Sequence, residues 1–239
     1  MSVLVVEHVP WEPAGRIHMQ CLAEGLDVRT VNALRGDRFG EVESLAGVVV
    51  MGGPMRATDW RNHPRLEDEV ALLRDAVTAD VPCLGICLGH QLLALACGGS
   101  LETAQTAEIG VAPVEVMAES VLGRVGDRVD VLHWHADVVS LPSGADLLAR
   151  SDQCENQAFR LGSAVGLQFH LEVDQALFAR WLSVPEMAAE LPAGIDHEAA
   201  LRAAEPTMAE LARMVFSDFT SRASARAGQL SQSGPASTD

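Results

Sequence analysis

One short motif combines a candidate nucleophile with the small residues that a reactive side chain needs around it. The motif is GICLG, residues 85–89, and it lies between an apolar run and a helical stretch, Leu88–Cys97. Glycines two positions before and two after the cysteine let the chain turn sharply from strand to helix without a side-chain clash. The turn places the sulfur of Cys87 at a helix N-terminus, where free N–H groups and the helix dipole favour the thiolate. An ordinary buried cysteine is the alternative, but flanking glycines suit simple packing poorly, so we predict that Cys87 is a nucleophile.

A second motif supplies a candidate base and a partner that could orient it. Residues 165–173 read VGLQFHLEV, which is typical of a strand. Residues two apart in a strand point the same way, so His170 and Glu172 share one face. A nucleophilic cysteine needs a base, and a carboxylate beside an imidazole holds its tautomer and stabilises the imidazolium. Alone, this motif indicates only a histidine at a strand end with a solvated glutamate. Together with the GICLG turn it predicts a triad of Cys87, His170 and Glu172.

Two glycines after another apolar run could stabilise the negative charge that the attack of a thiolate creates. Gly52-Gly53-Pro54 directly follows Ala46–Met51. Glycine allows close approach of the backbone and can aim an N–H group at a developing oxyanion. Taken alone, the motif indicates only a turn, because Gly-Pro is common at turns.

The elements that would position these residues alternate between strand and helix in the first half of the chain. Ser2–Val6 and Ala46–Met51 are short runs rich in β-branched residues, and Val81–Ile86 is a shorter and less clear one. Such runs are typical of strands buried on both faces of a parallel sheet. Between them, Gly15–Gly25 and residues 66–77 have helical spacing. This alternation predicts an α/β fold with a mostly parallel sheet and helices on both faces.

The second half has a different pattern. Ile109–Val116 and Arg128–His133 alternate like strands, Val165–His170 is another strand, and Asp174–Leu182 begins a helix with Asp174 as its N-cap. Beyond Pro185 the chain is rich in alanine and glutamate.

We expect three segments along the chain. Residues 1–182 form the main domain, and residues 183–220 form a helical extension. Ser221–Asp239 is small, polar and contains proline and glycine, so we expect it to be a disordered tail.

Composition excludes several classes of partner. The net charge of −16 opposes nucleic acid, because phosphate binders need clustered lysine and arginine. No stretch approaches the length of a membrane span, and Met1–Val9 lacks the features of a signal peptide.

The five cysteines are odd in number and lack metal-type pairing. We therefore expect reduced thiols in a cytoplasmic protein, with neither a metal nor a cofactor.

The motifs GICLGHQ, MGGP and QFHLE, in that order, resemble those of the class I glutamine amidotransferases, especially the glutaminase domain of GMP synthase and its stand-alone relatives. The resemblance covers about Ser2–Leu182. It implies a flavodoxin-like α/β fold and a cysteine-dependent hydrolase. In such an enzyme Cys87 attacks the side-chain amide of glutamine, His170 transfers the proton to ammonia and Glu172 orients His170.

The resemblance also implies where the substrate binds. The N–H groups of Gly53 and Leu88 would form the oxyanion hole, and Gly52 and Gln91 would contact the substrate. The loop ENQAF, residues 155–159, would hold the α-amino and carboxylate groups, chiefly through its backbone and Asn156, with Ala158 and Phe159 as further contacts. The stretch WHAD, residues 134–137, would lie at the mouth of the site and support the loop or contact a partner.

Two positions depart from the family pattern. Leu171 replaces the proline that usually lies between the histidine and the glutamate, which removes a rigid φ but no catalytic atom. Met55 stands where many members have a further glycine, so we expect a pocket that is narrower than in relatives or differently shaped.

Three functions stay open at this point. About 57 residues follow Leu182, too few for a synthase domain of usual size, so the chain either serves a separate synthase subunit or acts alone as a γ-glutamyl peptidase. A non-catalytic regulatory module of the same fold is a third possibility, which the intact triad disfavours. A different cysteine enzyme of flavodoxin-like fold is disfavoured because Leu88 stands where its histidine would be.

Overall fold

The computed structural model describes residues 1–232, and the side chains of these residues except 104–106, 231 and 232. Nine strands form one sheet: β1 (Ser2–Glu7), β2 (Asp27–Asn32), β3 (Gly47–Val50), β4 (Cys83–Ile86), β5 (Leu101–Val116), β6 (Arg128–Val139), β7 (Asp146–Arg150), β8 (Ala158–Leu161) and β9 (Ala164–Leu167). The helices are α1 (Gly15–Ala23), α2 (Arg65–Thr78), α3 (Leu88–Ala96), α4 (Gln175–Leu182), α5 (Pro185–Glu190) and α6 (His197–Gln232).

The sheet is mixed, with its strands in the order β2-β1-β3-β4-β9-β8-β7-β5-β6. The ladders from β2 to β9 are parallel, and those from β9 to β6 are antiparallel. The predicted α/β fold is confirmed, and the parallel half corresponds to the alternating first half of the sequence together with β9. Antiparallel pairing begins where strands follow one another without a helix between them.

Strand β1 shows why both faces of the sheet carry helices. Val3 and Val5 pack into a cluster with α1 and α6, whereas Leu4 and Val6 pack into a cluster with α2 and α3. All four side chains are fully buried. Since successive residues of a strand point to opposite faces, a continuous apolar run is what a strand between two helical layers requires.

The carboxyl ends of the parallel strands bring the sequence motifs together. The Gly52-Gly53-Pro54 turn comes just after β3, Cys87 follows β4, and residues 168–172 follow β9, which pairs with β4. This edge is where α/β sheets bind ligands. The predicted strand Val165–His170 is shorter than expected, because β9 ends at Leu167 and His170 instead forms an isolated bridge to Leu132 of β6.

The expectation of a disordered tail is wrong for residues 221–232, because α6 continues across them. Ala223 is fully buried in the same cluster as Phe219, and Arg226 donates to the carbonyl of Leu45 at 3.0 Å. This segment has many small side chains and few large apolar ones, so its sequence does not indicate burial. Small side chains nevertheless allow a helix to pack closely against its neighbours. Residues 233–239 lie outside the described part of the chain. Among the described residues, no helix has the length and apolar character that crossing a membrane requires.

Candidate active site

Cys87 lies at the turn between β4 and α3 in a backbone conformation that few residues adopt. Its φ is 51° and its ψ is −104°, and it is the N-cap residue of α3. A Cβ on Gly85 would collide with the backbone of Gly89, and a Cβ on Gly89 would collide with the carbonyl of Val50. The two glycines are therefore needed for the turn itself, as the spacing predicts. Backbone strain of this kind is characteristic of functional positions.

His170 and Glu172 form a buried ion pair beside this turn. Nδ1 of His170 lies 2.7 Å from Oε1 of Glu172, and both side chains are almost completely buried. Nε2 of His170 has no hydrogen-bond partner among the described residues. Glu172 thus occupies one nitrogen of the imidazole and leaves the other available.

The electrostatics favour the protonated form of His170. Burial alone would lower its pKa, but the charge and the hydrogen bond of Glu172, together with the nearby Cys87, raise the pKa well above its ordinary value. An imidazolium beside the Cys87 sulfur is the arrangement that stabilises a thiolate. The sulfur itself lies 3.6 Å from the carbonyl oxygen of Trp134.

A cavity of about 830 Å³ opens at this point and is lined by both Cys87 and His170. We call the lining residues 53–56, 87, 88, 91 and 134–137 its catalytic wall, because they include Cys87. We call the lining residues 11, 12, 184, 186, 187 and 190 its outer wall, because they come from the loop after β1 and from α5 with the residue before it. The rings of Trp134 and Trp181 meet edge to face between the two walls, with centroids 5.5 Å apart.

The two candidate oxyanion donors, Gly53 and Leu88, both line the cavity. Leu88 is the first residue of α3, where N–H groups have no partner within the helix. The turn that carries Gly53 is held by His8, whose Nδ1 donates to the carbonyl of Gly52 at 2.8 Å, while its Nε2 lies 2.9 Å from Glu69 of α2. The buried pair of His8 and Glu69 therefore fixes the position of the turn.

Gln91 lines the catalytic wall one turn into α3. Its side-chain amide donates to the carbonyl of Asp137 at 3.3 Å and to the side chain of Gln168 at 3.2 Å. These contacts connect α3 to the end of β6, where Trp134, His135 and the two residues after them also line the cavity.

Residues 155–159, which we expected to hold the substrate, lie outside the cavity lining, and their contacts with substrate stay a prediction. Asn156, Ala158 and Phe159 are buried and do not line the cavity. Ala158 and Phe159 belong to β8, which is enclosed between β7 and β9, and the ring of Phe159 packs against His90. The stretch WHAD, residues 134–137, which we expected at the mouth of the site, lines the cavity, and its role in supporting the loop stays a prediction.

The two departures from the family pattern differ in their consequences. Met55 lines the cavity, so its side chain shapes the catalytic wall. Leu171 is fully buried, and its carbonyl accepts a hydrogen bond of 3.0 Å from Arg16 of α1. Arg16 also donates to the carbonyl of Val173 at 2.6 Å. Two hydrogen bonds from Arg16 therefore hold the backbone at residues 171–173, where a proline at position 171 would have restricted φ.

Glu12 is a residue of the site that sequence analysis missed. It lines the cavity and is only 8% exposed. Its carboxylate and the ring of His170 both lie next to the Cα of Gly52, on the side where a Cβ would be. Burial raises its pKa to about 7, although the nearby charges of His170 and His8 lower it. The signal in the sequence is weak, since Glu12 stands in a proline-containing loop outside any motif.

Helix α5 was also missed as part of the site. Val184, Glu186, Met187 and Glu190 line the outer wall, and Glu190 accepts a hydrogen bond of 2.6 Å from the indole of Trp134. The sequence indicates a helical extension after Leu182, but no pattern in it shows that this helix folds back over the carboxyl edge of the sheet.

Three residues next to the cavity have side chains of the types that hold metals. Ligand atoms of Glu108, His133 and His135 lie within 4.8 Å of one another. Burial lowers the pKa of His133 to about 4, despite the nearby Glu108. The side-chain amide of Gln157 already donates to Glu108 at 2.7 Å and lies 3.3 Å from Nε2 of His135. Gln157 thus joins Glu108 and His135 in a hydrogen-bonded network that holds His135 in the cavity lining.

Comparisons with known proteins identify one family. The model of the family described as glutamine amidotransferase class-I matches residues 19–182. The chain is 30% identical over 181 residues to the glutamine amidotransferase-like protein YfeJ of Salmonella typhimurium, covering 72% of this chain and 76% of that protein. It is 45% identical over 136 residues to a subunit of the glutamine-hydrolysing GMP synthase of Methanosarcina mazei, covering 55% of this chain and 66% of that relative. The crystal structure of a glutamine amidotransferase from Thermotoga maritima superposes with a TM-score of 0.84 at 30% identity, covering 93% of this chain and 98% of the other.

Proposed function

This chain belongs to the class I glutamine amidotransferase family, and from that premise we propose that it hydrolyses the side-chain amide of glutamine, or of another γ-glutamyl amide, through a thioester on Cys87. The observation that carries the proposal is the shared position of Cys87 and His170 in one cavity, with Glu172 on the far nitrogen of the imidazole. A nucleophile, a base and an orienting carboxylate are the parts that acyl transfer needs.

In the first half of the proposed reaction, the Cys87 thiolate attacks the γ-carbonyl carbon and a C–S bond forms. The electron pair of the carbonyl moves onto its oxygen, which accepts hydrogen bonds from the N–H groups of Gly53 and Leu88. The His170 imidazolium then donates its Nε2 proton to the amide nitrogen. The C–N bond breaks, and ammonia or an amine leaves.

In the second half, water attacks the thioester while His170 accepts a proton from it. The C–S bond breaks, which releases glutamate and restores the thiolate beside the imidazolium. Glu172 keeps the same nitrogen of His170 occupied in both halves, so that Nε2 alone exchanges protons with the reactants.

The segment boundaries and compartment are parts of the same proposal. We take residues 1–182 as the amidotransferase domain, to which α5 contributes a wall of the cavity and α6 a layer of the core. All five cysteines are free, which supports a reducing compartment such as the cytoplasm.

A second candidate function follows from the similarity to a component of GMP synthase. The Methanosarcina mazei relative is named as one subunit of that enzyme, so a separate synthase subunit is a candidate partner that would receive the ammonia. Acting alone, as a γ-glutamyl peptidase or on another γ-glutamyl amide, is the other possibility, and the cavity volume favours a substrate larger than glutamine, because 830 Å³ is the size of a site for drug-sized ligands.

The test measures glutamate and ammonia release from glutamine and from several γ-glutamyl amides. We expect turnover by the wild type and none by Cys87→Ala, with a thioester adduct on Cys87 detectable by mass spectrometry after rapid acid quenching. Cys97→Ala is the matched control, because it removes a thiol that lies outside the cavity. Equal turnover by Cys87→Ala would overturn the proposal. Ammonia release that occurs only on adding a synthase subunit would favour the partner function.

A further inference from the structure

The charge of the cavity is unequal between its two walls. On the catalytic wall, the one arginine among the described lining residues, Arg56, lies 3.5 Å from Asp137, so these charges offset each other. On the outer wall, Glu12, Glu186 and Glu190 line the cavity with no lysine or arginine among the described residues there. The hydrogen bond that Glu190 accepts from Trp134 comes from a neutral donor and leaves its charge in place. The outer wall is therefore acidic.

Glu12 is the member of this wall whose environment points to a missing partner. Its side chain is more than nine-tenths buried and lines the cavity, yet it has no hydrogen bond or ion pair to any described residue. Two flanking contacts hold its loop in place: Trp181 donates to the carbonyl of Trp11 at 2.7 Å, and the N–H of Glu12 donates to Val9 at 3.3 Å. The charges of His170 and His8 lie nearby but do not offset the burial of Glu12, whose pKa stays raised to about 7, so a cation supplied by a ligand would stabilise the ionised form.

The position of Glu12 identifies which part of a substrate it would meet. A Cβ built on Gly52 would collide with the Glu12 carboxylate and would lie 3.4 Å from Cε1 of His170, so the two side chains are neighbours. In the proposed reaction His170 donates its proton to the leaving nitrogen, so the leaving group lies on the His170 side of the scissile bond. Glu12 is therefore placed beside the amine that departs.

The rest of the outer wall is suited to an apolar stem. Trp11, Val184 and Met187 line it, next to the edge-to-face pair of Trp134 and Trp181. Methylene groups pack well against tryptophan and methionine, and a cationic end group on such a stem can be held near an aromatic face. An alkyl chain with a positively charged end would therefore place its methylene groups against the apolar side chains of the outer wall and its charge beside the glutamates.

We propose that this cavity takes γ-glutamyl amides whose amine carries a second positive charge on a short apolar stem, with Glu12 as the partner of that charge. The substrate class is thus the γ-glutamyl amide of a diamine or polyamine, and it rests on the amide hydrolysis proposed above. An amine that carries a carboxylate, as in a γ-glutamyl dipeptide, would place like charges together on the outer wall and is disfavoured.

The experiment compares three γ-glutamyl amides of similar length that differ in the end group of the amine. They are the monoamide of 1,4-diaminobutane, which is cationic, the butylamide, which is neutral, and the amide of 4-aminobutanoate, which is anionic. For the wild type we expect kcat/KM to be highest for the cationic amide, by about tenfold over the neutral one, as expected for one charge-assisted hydrogen bond. Glu12→Gln should reduce the ratio of cationic to neutral kcat/KM to near one.

Binding to Cys87→Ala, measured by calorimetry, gives a readout that does not depend on turnover. We expect the same order of affinities, and loss of the preference when Glu12→Gln is combined with Cys87→Ala. Glu67→Gln is the matched control, because it removes one negative charge from the exposed face of α2.

The outcomes separate the two proposals. Equal kcat/KM for the cationic and neutral amides, or a preference that survives Glu12→Gln, would overturn the inference and leave amide hydrolysis standing. Preferred binding of the cationic amide without hydrolysis of any amide would overturn the proposed function and retain the cation site. Preference for the anionic amide would overturn the inference in favour of peptides.

Discussion

Glu69 of α2 lies 2.9 Å from Nε2 of His8, and both side chains are fully buried beneath the turn that carries Gly53. Burial alone would lower the pKa of His8, but hydrogen bonds to Glu69 and Gly52 and the charge of Glu69 raise it. A protonated His8 donates from both nitrogens, so one charged side chain connects helix α2 to the candidate oxyanion hole.

The first prediction concerns this pair. Glu69→Gln should lower the free energy of unfolding by about 3 kcal/mol, because it leaves a buried imidazolium without its counter-charge. It should also reduce kcat by about ten- to a hundredfold, because small displacements of a donor are costly in catalysis. Urea denaturation and steady-state ammonia release measure the two effects. Glu67→Gln, two residues away on the exposed face of α2, should change neither. A Glu69→Gln variant with unchanged stability would contradict this account of the turn.

The second prediction concerns the orienting carboxylate. Glu172→Gln keeps the shape of the side chain but removes the charge 2.7 Å from Nδ1 of His170. We expect kcat to fall by about 10²- to 10⁴-fold, since the imidazolium is no longer stabilised and its tautomer is no longer fixed. KM should change little, because Glu172 does not line the cavity. Initial rates over a range of glutamine concentrations separate the two constants. A kcat within threefold of the wild type would argue against an orienting role.

The third prediction is a pH dependence of stability that arises from Glu12. Its pKa is about 7 in the folded protein, against an ordinary value of 4.5, so the folded state holds the proton more tightly. This contribution to stability is complete below pH 4.5 and is lost as the pH rises to about 7. Glu12→Gln removes the ionisation, so at pH 8 the variant should be more stable than the wild type by about 3 kcal/mol.

Chemical denaturation at pH 4.5 and pH 8 checks this difference. At the lower pH the two proteins should have nearly equal free energies of unfolding, since Glu12 is protonated and neutral there in the folded protein. Parallel pH profiles for wild type and Glu12→Gln would show that the folded protein does not hold this carboxyl in a neutral form.

The fourth prediction concerns the end of α6. A chain that stops after Thr220 loses the buried Ala223 and the hydrogen bond from Arg226 to the carbonyl of Leu45. We expect this truncation to reduce the free energy of unfolding by about 1 to 3 kcal/mol and to lower Tm accordingly. A chain that stops after Leu230 retains both contacts and serves as the control. Equal thermal unfolding curves for the two truncated proteins would mean that residues 221–230 contribute nothing to the folded core.

Sequence analysis predicted the features that depend on a few consecutive residues, namely the turn at Cys87 and the contact between His170 and Glu172. The glycines around Cys87 indicate a sharp turn because few other residues fit it, and the structure shows that a Cβ on either one would collide with backbone. The spacing of His170 and Glu172 places both on one face, and they do lie in contact. Such features follow from a few consecutive residues and need no knowledge of the rest of the chain.

The features that sequence analysis missed depend on how distant segments meet. Glu12 reaches the cavity only because its loop packs under α4, and α5 does so only because the chain folds back after Leu182. The burial of Phe159 also depends on a distant segment, since its ring packs against His90 of α3 in the core. No local period or spacing encodes these placements.

The outer wall has a further consequence for how such enzymes diverge. Residues 11, 12 and 184–190 all lie outside residues 19–182, the segment that the family model matches, whereas the catalytic wall lies within it. Under the proposed function, the residues that break the amide bond and those that meet the departing amine are thus encoded in separate stretches of the gene. Substitutions in one short loop and a helix of six residues can then change the substrate without altering the proposed nucleophile and its partners.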